Sequence, residues 1–141
     1  MRVMVIVKAT SDSEAGVLPN QSTLAEMGQF NEELVKAGVL LAAEGLHASA
    51  RGLRVRFAGG KSSVIDGPFT ETKELIAGFW IWQVRSLDEA IEWIRRSPFR
   101  KSSEEIEIRR VFEPEEFAEN QTSQMRAQDA RLRDQVSAQR G

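Results

Sequence analysis

The chain has 141 residues, of which 41% are hydrophobic and 28% are charged, and its formal net charge is −2. This length and composition predict a single globular domain with its own core and exclude a disordered chain. Because charges of both signs are interspersed, we expect neither nucleic acid nor a membrane surface as a partner. The chain has no cysteine, which excludes disulfides, thiolate metal sites and a cysteine nucleophile.

The amino terminus carries no recognisable targeting segment. Its apolar stretch, within MRVMVIVKAT, is too short for an export signal, and no small-residue cleavage site follows it. No run approaches the roughly 20 apolar residues of a membrane helix. We therefore expect a cytoplasmic protein.

The first elements form a β-α-β pattern. Residues 3–8 are rich in β-branched side chains, which predicts a buried strand. Residues 22–38 carry apolar side chains at helical intervals and end in a glycine, which predicts a helix. Residues 39–47 predict the second strand.

A β-hairpin is predicted next. Residues 53–57, LRVRF, alternate in polarity, so we expect the three apolar side chains to point inward and the two arginines outward. The sequence AGGK at 58–61 predicts the turn, and residues 62–65 predict the returning strand.

A second β-α-β pattern closes the domain. Residues 78–84, GFWIWQV, predict a strand with aromatic side chains on both faces. Ser86 and Glu89 have the spacing of a helix capping box, and residues 105–112 alternate as a final strand. After residue 117 the composition changes to glutamine, arginine, alanine and serine. We expect a domain over 1–117 and a polar tail over 118–141, either a frayed helix or disordered.

This order of elements predicts an α+β fold of the ferredoxin-like (split βαβ) type, an antiparallel sheet with two helices on one face, plus the hairpin. The face without helices needs a cover. We expect Trp80 and Trp82 to lie on that open face, where they would form an apolar patch. A homodimer that packs sheet against sheet is the simplest cover.

The candidate chemistry depends on two residues. His47, the single histidine, follows the second strand, and Asp66 follows the hairpin 19 residues later. An aspartate beside an imidazole fixes its tautomer and raises its basicity, so we predict His47 and Asp66 as a catalytic acid/base pair. Two alternatives stay open: Asp66 initiates a turn by accepting hydrogen bonds from backbone amides, and His47 is merely solvated.

Ligand contacts are predicted for Phe69, Glu74 and Arg56. Arg56 belongs to a small basic cluster with Arg51 and Arg54, which either holds an anionic ligand or forms the solvated side of a strand. We expect no metal site, because the chain offers a single histidine and no cysteine. No phosphate loop or dinucleotide motif is present, so no cofactor is predicted.

The sequence DGPF at 66–69, followed by ETKE at 71–74 and an aromatic strand, is similar to the YCII-related family in its DGPF-domain branch. The resemblance covers about residues 1–117. It implies a ferredoxin-like fold that forms a dimeric α/β barrel, with a cleft holding a histidine-aspartate pair. By motif match Asp66 is the family aspartate, and His47 lies where members carry GL followed by a histidine or another polar residue.

Two functions are compatible with these observations. The first is a small enzyme that uses His47 and Asp66 for acid/base chemistry on a small cyclic or aromatic compound. The alternative is a non-catalytic dimeric module that binds a small molecule or serves in transcription control, with Asp66 purely structural. A fold of this type hosts both kinds of protein and does not choose between them.

Overall fold

A computed structural model describes residues 1–140. The chain divides into two units, the first Met1–Arg110 and the second beginning at Val111. The predicted boundary lay seven residues later, after residue 117. The shift follows from the contacts, since the last sheet strand already ends at Arg110.

The first unit contains six strands and three helices, in the predicted order except for one additional short helix, α1. Two 3₁₀ turns, Ser49–Arg51 and Pro98–Lys101, complete it. The strands and helices are β1 (Arg2–Lys8), α1 (Ser11–Glu14), α2 (Gln21–Lys36), β2 (Leu40–Gly45), β3 (Leu53–Ala58), β4 (Lys61–Asp66), β5 (Ile76–Gln83), α3 (Leu87–Arg96) and β6 (Ile106–Arg110).

Four strands form an antiparallel sheet in the order β2-β5-β1-β6. This is the ferredoxin-like arrangement, so the predicted fold class is confirmed. β3 and β4 pair only with each other, in register from Leu53 opposite Asp66 to Ala58 opposite Lys61. The hairpin is therefore a separate two-stranded sheet.

The helices begin at side-chain caps. Asn20 accepts a hydrogen bond from the backbone N–H of Thr23 at the start of α2, and Ser86 accepts one from Glu89 at the start of α3. Each cap satisfies an N–H that the first helical turn leaves without a partner. Capping therefore determines where the two long helices of this unit begin, and their apolar sides face the sheet.

The core lies between the helices and the sheet, and it contains the two tryptophans of β5. Trp80 and Trp82 are buried against Phe30 of α2, with ring centroids 5.9 and 6.3 Å from it. Trp80 also donates a hydrogen bond to Asn31 Oδ1 at 2.9 Å. The prediction that both tryptophans lie on the open face was wrong. Alternation separates the two faces of a strand, but both faces of β5 are apolar, so the pattern could not identify the face that the helices cover.

The hairpin was also predicted incorrectly in one respect. Leu53, Val55 and Phe57 share one face as expected, but their side chains are 57, 48 and 79% exposed. Their alternation places them on one face of the two-stranded hairpin. No second layer from the described part of the chain buries that face.

The second unit contains a 3₁₀ segment, Pro114–Asn120, and helix α4, Ser123–Arg140. The rings of Phe112 and Phe117 lie 4.9 Å apart. No side chain of α4 is buried. Within residues 1–140, the helices lack the combined length and apolar character needed to cross a membrane.

Candidate functional site

Several loops leave the four-stranded sheet at the same end. Beyond β2, the N–H of Leu46 donates to the carbonyl of Ala77 in β5 at 2.8 Å, and beyond β1, the N–H of Ala9 donates to Leu75 at 2.9 Å. These bonds bring the loop with His47, the segment with α1 and the DGPF turn to the same end of the sheet. The candidate residues therefore come from three separate parts of the chain.

Ser49 connects these three parts. Its Oγ accepts a hydrogen bond from the backbone N–H of Phe69 at 2.9 Å and donates one to the carboxylate of Glu14. Its backbone N–H also donates to Glu14 Oε2 at 2.9 Å. We call Glu14, Ser49, Gly67 and Phe69 the Ser49 junction. It holds the DGPF turn and the histidine loop together through polar contacts.

Gly67 of the DGPF turn lies directly against this junction. Its N–H donates to the carbonyl of Gly52 at 3.0 Å. A Cβ atom added to Gly67 would lie 1.8 Å from the carbonyl oxygen of Ser49, well inside any possible contact. The glycine of the motif is thus required by a close backbone approach. Gly67 therefore has a structural role in the motif.

Asp66 lies next to this contact but takes no part in its hydrogen bonds. It is the last residue of β4, opposite Leu53, and its side chain is exposed. Among residues 1–140 its carboxylate has neither a hydrogen bond nor an ion pair, so the expected acceptance of backbone amides in the turn is not observed. A carboxylate without a partner at this position is available to a ligand.

His47 has a different neighbour from the one predicted. Its Nδ1 lies 3.3 Å from Nη1 of Arg51, and the imidazole is exposed. No hydrogen bond joins His47 to Asp66 in the described residues. The backbone nevertheless brings the two segments together, since His47 lies two residues before Ser49 and Asp66 one residue before Gly67.

Phe69 of the motif contacts an arginine. The Cζ atom of Arg54 lies 3.7 Å from the centroid of the Phe69 ring, and Arg54 Nη2 lies 3.4 Å from Glu71 Oε2. A hydrogen bond from its own backbone amide lowers the pKa of the Glu71 carboxyl; desolvation opposes this, and the Arg54 guanidinium lowers the pKa further. Arg54 and Asp66 project from opposite faces of the hairpin, because Arg54 pairs with Ile65 and Asp66 with Leu53.

The other two predicted ligand contacts are solvated in the single chain. Arg56 lies on the same face of the hairpin as Arg54, and its side chain is exposed. Glu74 donates its backbone N–H to Glu71 at 2.8 Å, while its carboxylate is exposed. The structure therefore brings Phe69 into the Ser49 junction but neither Arg56 nor Glu74.

Sequence patterns did not identify Glu14 and Ser49. They lie 35 residues apart, in TSDSEAG and HASARG, where no periodicity or motif marks them. The one usable signal was the glycine of DGPF, which indicates close backbone approach without naming the partner. Within residues 1–140 no group of three or more histidine, aspartate or glutamate side chains is placed to hold a metal ion.

Comparison with known proteins gives a family for this architecture. The family model described as the YCII-related domain matches residues 1–115. An uncharacterised protein of Rhizobium meliloti (strain 1021) is 32% identical over 76 residues, which is 54% of this chain and 61% of that protein's length. The match thus spans less than two thirds of that relative.

Among solved structures, the chain is similar to 5-chloro-2-hydroxyhydroquinone dehydrochlorinase (TftG) from Burkholderia phenoliruptrix AC1100, determined in complex with 2,5-dihydroxybenzoquinone. The identity is 18%, the TM-score is 0.47, and the alignment covers 79% of this chain and 94% of that one. Likeness at this level does not transfer an activity. With the family model matching residues 1–115 and the ferredoxin-like sheet, the chain belongs to the YCII-related family.

Proposed function

We propose that this protein is a small enzyme that performs acid/base chemistry on a small cyclic or aromatic compound at the edge of the Ser49 junction. Asp66 and His47 are the reacting groups and Phe69 is the proposed ligand contact, whereas Arg56 and Glu74 lie outside the junction. In this arrangement Asp66 and His47 act as separate groups that contact the ligand from the end of β4 and from the loop after β2. The chemistry requires no metal or cofactor.

The proposal rests on the carboxylate of Asp66, which has no partner in the described residues and lies next to the hydrogen bond between the backbones of Gly67 and Gly52. The nearby polar groups Ser49 Oγ and Glu14 are hydrogen bonded to each other, and the N–H groups of Gly67 and Phe69 have acceptors. An acidic group left free in an otherwise satisfied hydrogen-bond network is available for proton transfer with a ligand.

We further propose that a second copy of the chain completes the site by packing on the sheet face opposite the helices. On that face Met4 pairs with Ile81 and Ile6 with Phe79, so four apolar side chains lie together at the centre of the sheet. Charged residues, among them Glu107 of β6, lie beside them. Light scattering on the purified protein tests this, and a mass of one chain at micromolar concentration would contradict it.

A second candidate function is ligand binding without turnover. It is favoured by the contact of His47 with Arg51 at 3.3 Å, because in a histidine-aspartate catalytic pair the imidazole would be hydrogen bonded to Asp66. Such a module would use the same edge to hold a small molecule or to respond to it in a regulatory role.

One experiment separates the two candidates. A panel of small cyclic and aromatic hydroxyl and carbonyl compounds is screened by NMR shifts of His47, which is readily assigned because the chain has one histidine. Compounds that bind are then tested for turnover by mass spectrometry. For a substrate, Asp66→Asn is expected to lower kcat/KM by about 100-fold or more, the usual contribution of a positioned acid or base.

Asp134→Asn is the matched control, since Asp134 is an exposed aspartate of α4. It is expected to leave turnover unchanged. A compound whose turnover survives both Asp66→Asn and His47→Gln would overturn the proposed enzyme. Binding at His47 with no turnover of any compound would favour the binding module.

A further inference from the structure

We propose that Arg51 is a positioning residue that holds His47 in the Nε2–H tautomer, so that this residue donates a hydrogen bond to an acceptor oxygen of the ligand. The proposal deepens the acid/base function above and rests on it for the ligand's role. The tautomer itself is a property of the free protein.

The chemistry of the contact between Arg51 and His47 fixes which ring nitrogen carries the proton. Nη1 of Arg51 lies 3.3 Å from Nδ1 of His47. A guanidinium group carries five N–H donors, has no acceptor and is not deprotonated in proteins. Nδ1 must therefore offer its lone pair. A neutral imidazole has a single N–H, so the proton lies on Nε2.

The backbone that carries Arg51 is held in place. Arg51 ends the 3₁₀ turn Ser49–Arg51, and its N–H donates to the carbonyl of Ala48 at 2.9 Å. The turn is anchored through Ser49 to Glu14. Arg51 has no ion pair with any carboxylate in the described part of the chain, so no acidic side chain draws its guanidinium away from the histidine.

This tautomer gives His47 and Asp66 different roles. With Nδ1 occupied by Arg51, the neutral ring has no free lone pair with which to accept a proton from a ligand. It is able to donate the Nε2–H to an oxygen on which negative charge develops. The carboxylate of Asp66 then accepts the proton that the ligand loses, and the electron pair left behind is stabilised on the ligand oxygen. The site therefore favours compounds with a carbonyl or hydroxyl oxygen next to the proton that is removed.

The test is nitrogen-resolved NMR of the imidazole at about pH 8, where an ordinary histidine is neutral. Protonated and unprotonated ring nitrogens resonate in separate regions, and a single histidine gives an unambiguous spectrum. In the native protein, Nε2–H is expected to exceed Nδ1–H by about tenfold or more, as for a hydrogen bond to a charged group. Arg51→Lys should preserve this ratio, because an ammonium group also only donates.

Arg51→Glu should reverse the ratio in favour of Nδ1–H, because a carboxylate only accepts. Arg131→Glu introduces the same charge change at an exposed arginine of α4 and should leave the tautomer as in the native protein. A native spectrum dominated by Nδ1–H, or a ratio that Arg51→Glu leaves unchanged, would overturn the proposal. Neither result depends on turnover, so failure to find a substrate would leave the tautomer assignment standing, and a wrong tautomer would leave the acid/base function open.

Discussion

The core of the four-stranded sheet and the Ser49 junction are built in opposite ways. In the core, large side chains contact each other: Trp80 and Trp82 lie 5.5 Å apart between ring centroids, and Phe30 packs edge-on against both. At the junction no large side chain is fully buried, and the segments are held by the hydrogen bonds of Ser49 and the missing side chain of Gly67. The core therefore depends on the volume of its side chains, and the junction depends on the close approach of its backbone segments.

This difference predicts which substitutions each region tolerates. A core loses stability when volume is removed, because the surroundings collapse only partly around the cavity. A junction of close backbone contacts is disturbed when volume is added. It is also weakened by the loss of a single hydrogen bond. Each expectation is tested by one substitution with a matched control elsewhere in the chain.

The largest effect is expected for Trp82→Ala in the core. Trp82 is fully buried and its Nε1 has no hydrogen-bond partner in the described residues, so the change removes packing without leaving another group unsatisfied. We expect the free energy of unfolding, measured in urea, to fall by about 3–5 kcal/mol.

Phe57→Ala is the control, since Phe57 is an aromatic residue that is 79% exposed. Its effect should stay within about 0.5 kcal/mol. Equal losses for the two variants would show that Trp82 is not part of a packed core. They would also remove the contrast between the core and the hairpin.

The next effect is expected for Gly67→Ala at the junction. The added methyl group would lie 1.8 Å from the Ser49 carbonyl oxygen, so the DGPF turn must move away from Ser49. We expect a loss of about 2 kcal/mol, as for other overpacked sites, together with amide shifts at Ser49 and Phe69 in NMR spectra.

Gly52→Ala provides the local comparison. A Cβ at Gly52 would lie 3.5 Å from the same oxygen, an ordinary contact, and its φ of −115° is open to any residue. This variant should remain close to the native protein in both measurements. If Gly67→Ala also left the free energy of unfolding and the amide shifts unchanged, the close approach between the turn and Ser49 would not exist in solution.

The smallest effect is expected for Ser49→Ala. The change removes the Oγ that links Phe69 to Glu14, while the backbone N–H of Ser49 still donates to Glu14. Because the junction is only half-buried, water replaces part of the lost bonding, and we expect a loss of about 1 kcal/mol. Faster hydrogen exchange at the amide of Phe69 is the specific readout.

Ser62→Ala, on the exposed strand β4, should change neither the stability nor that exchange rate. Unchanged exchange at Phe69 in Ser49→Ala would mean that Ser49 does not hold the DGPF turn. The junction would then depend on Gly67 alone.

The catalytic hypothesis illustrates how far sequence patterns reach into the site. The motif identified Asp66 at the end of the hairpin, and the position after β2 identified His47, and the segments that carry them meet at one end of the sheet. Their expected hydrogen bond was not found, because the direction of a loop side chain depends on local contacts such as that of His47 with Arg51. Glu14 and Ser49 could not be predicted, since a hydrogen bond between residues 35 apart leaves no local pattern.

The sequence by itself determined the order of strands and helices and hence the ferredoxin-like sheet, because apolar periodicity and capping act over a few neighbouring residues. Only the tertiary structure decided which face of β5 is buried, that the hairpin stands apart from the sheet, and which partner each loop side chain contacts. These features depend on contacts between residues distant in the chain, whose energies are set by geometry that no local pattern encodes.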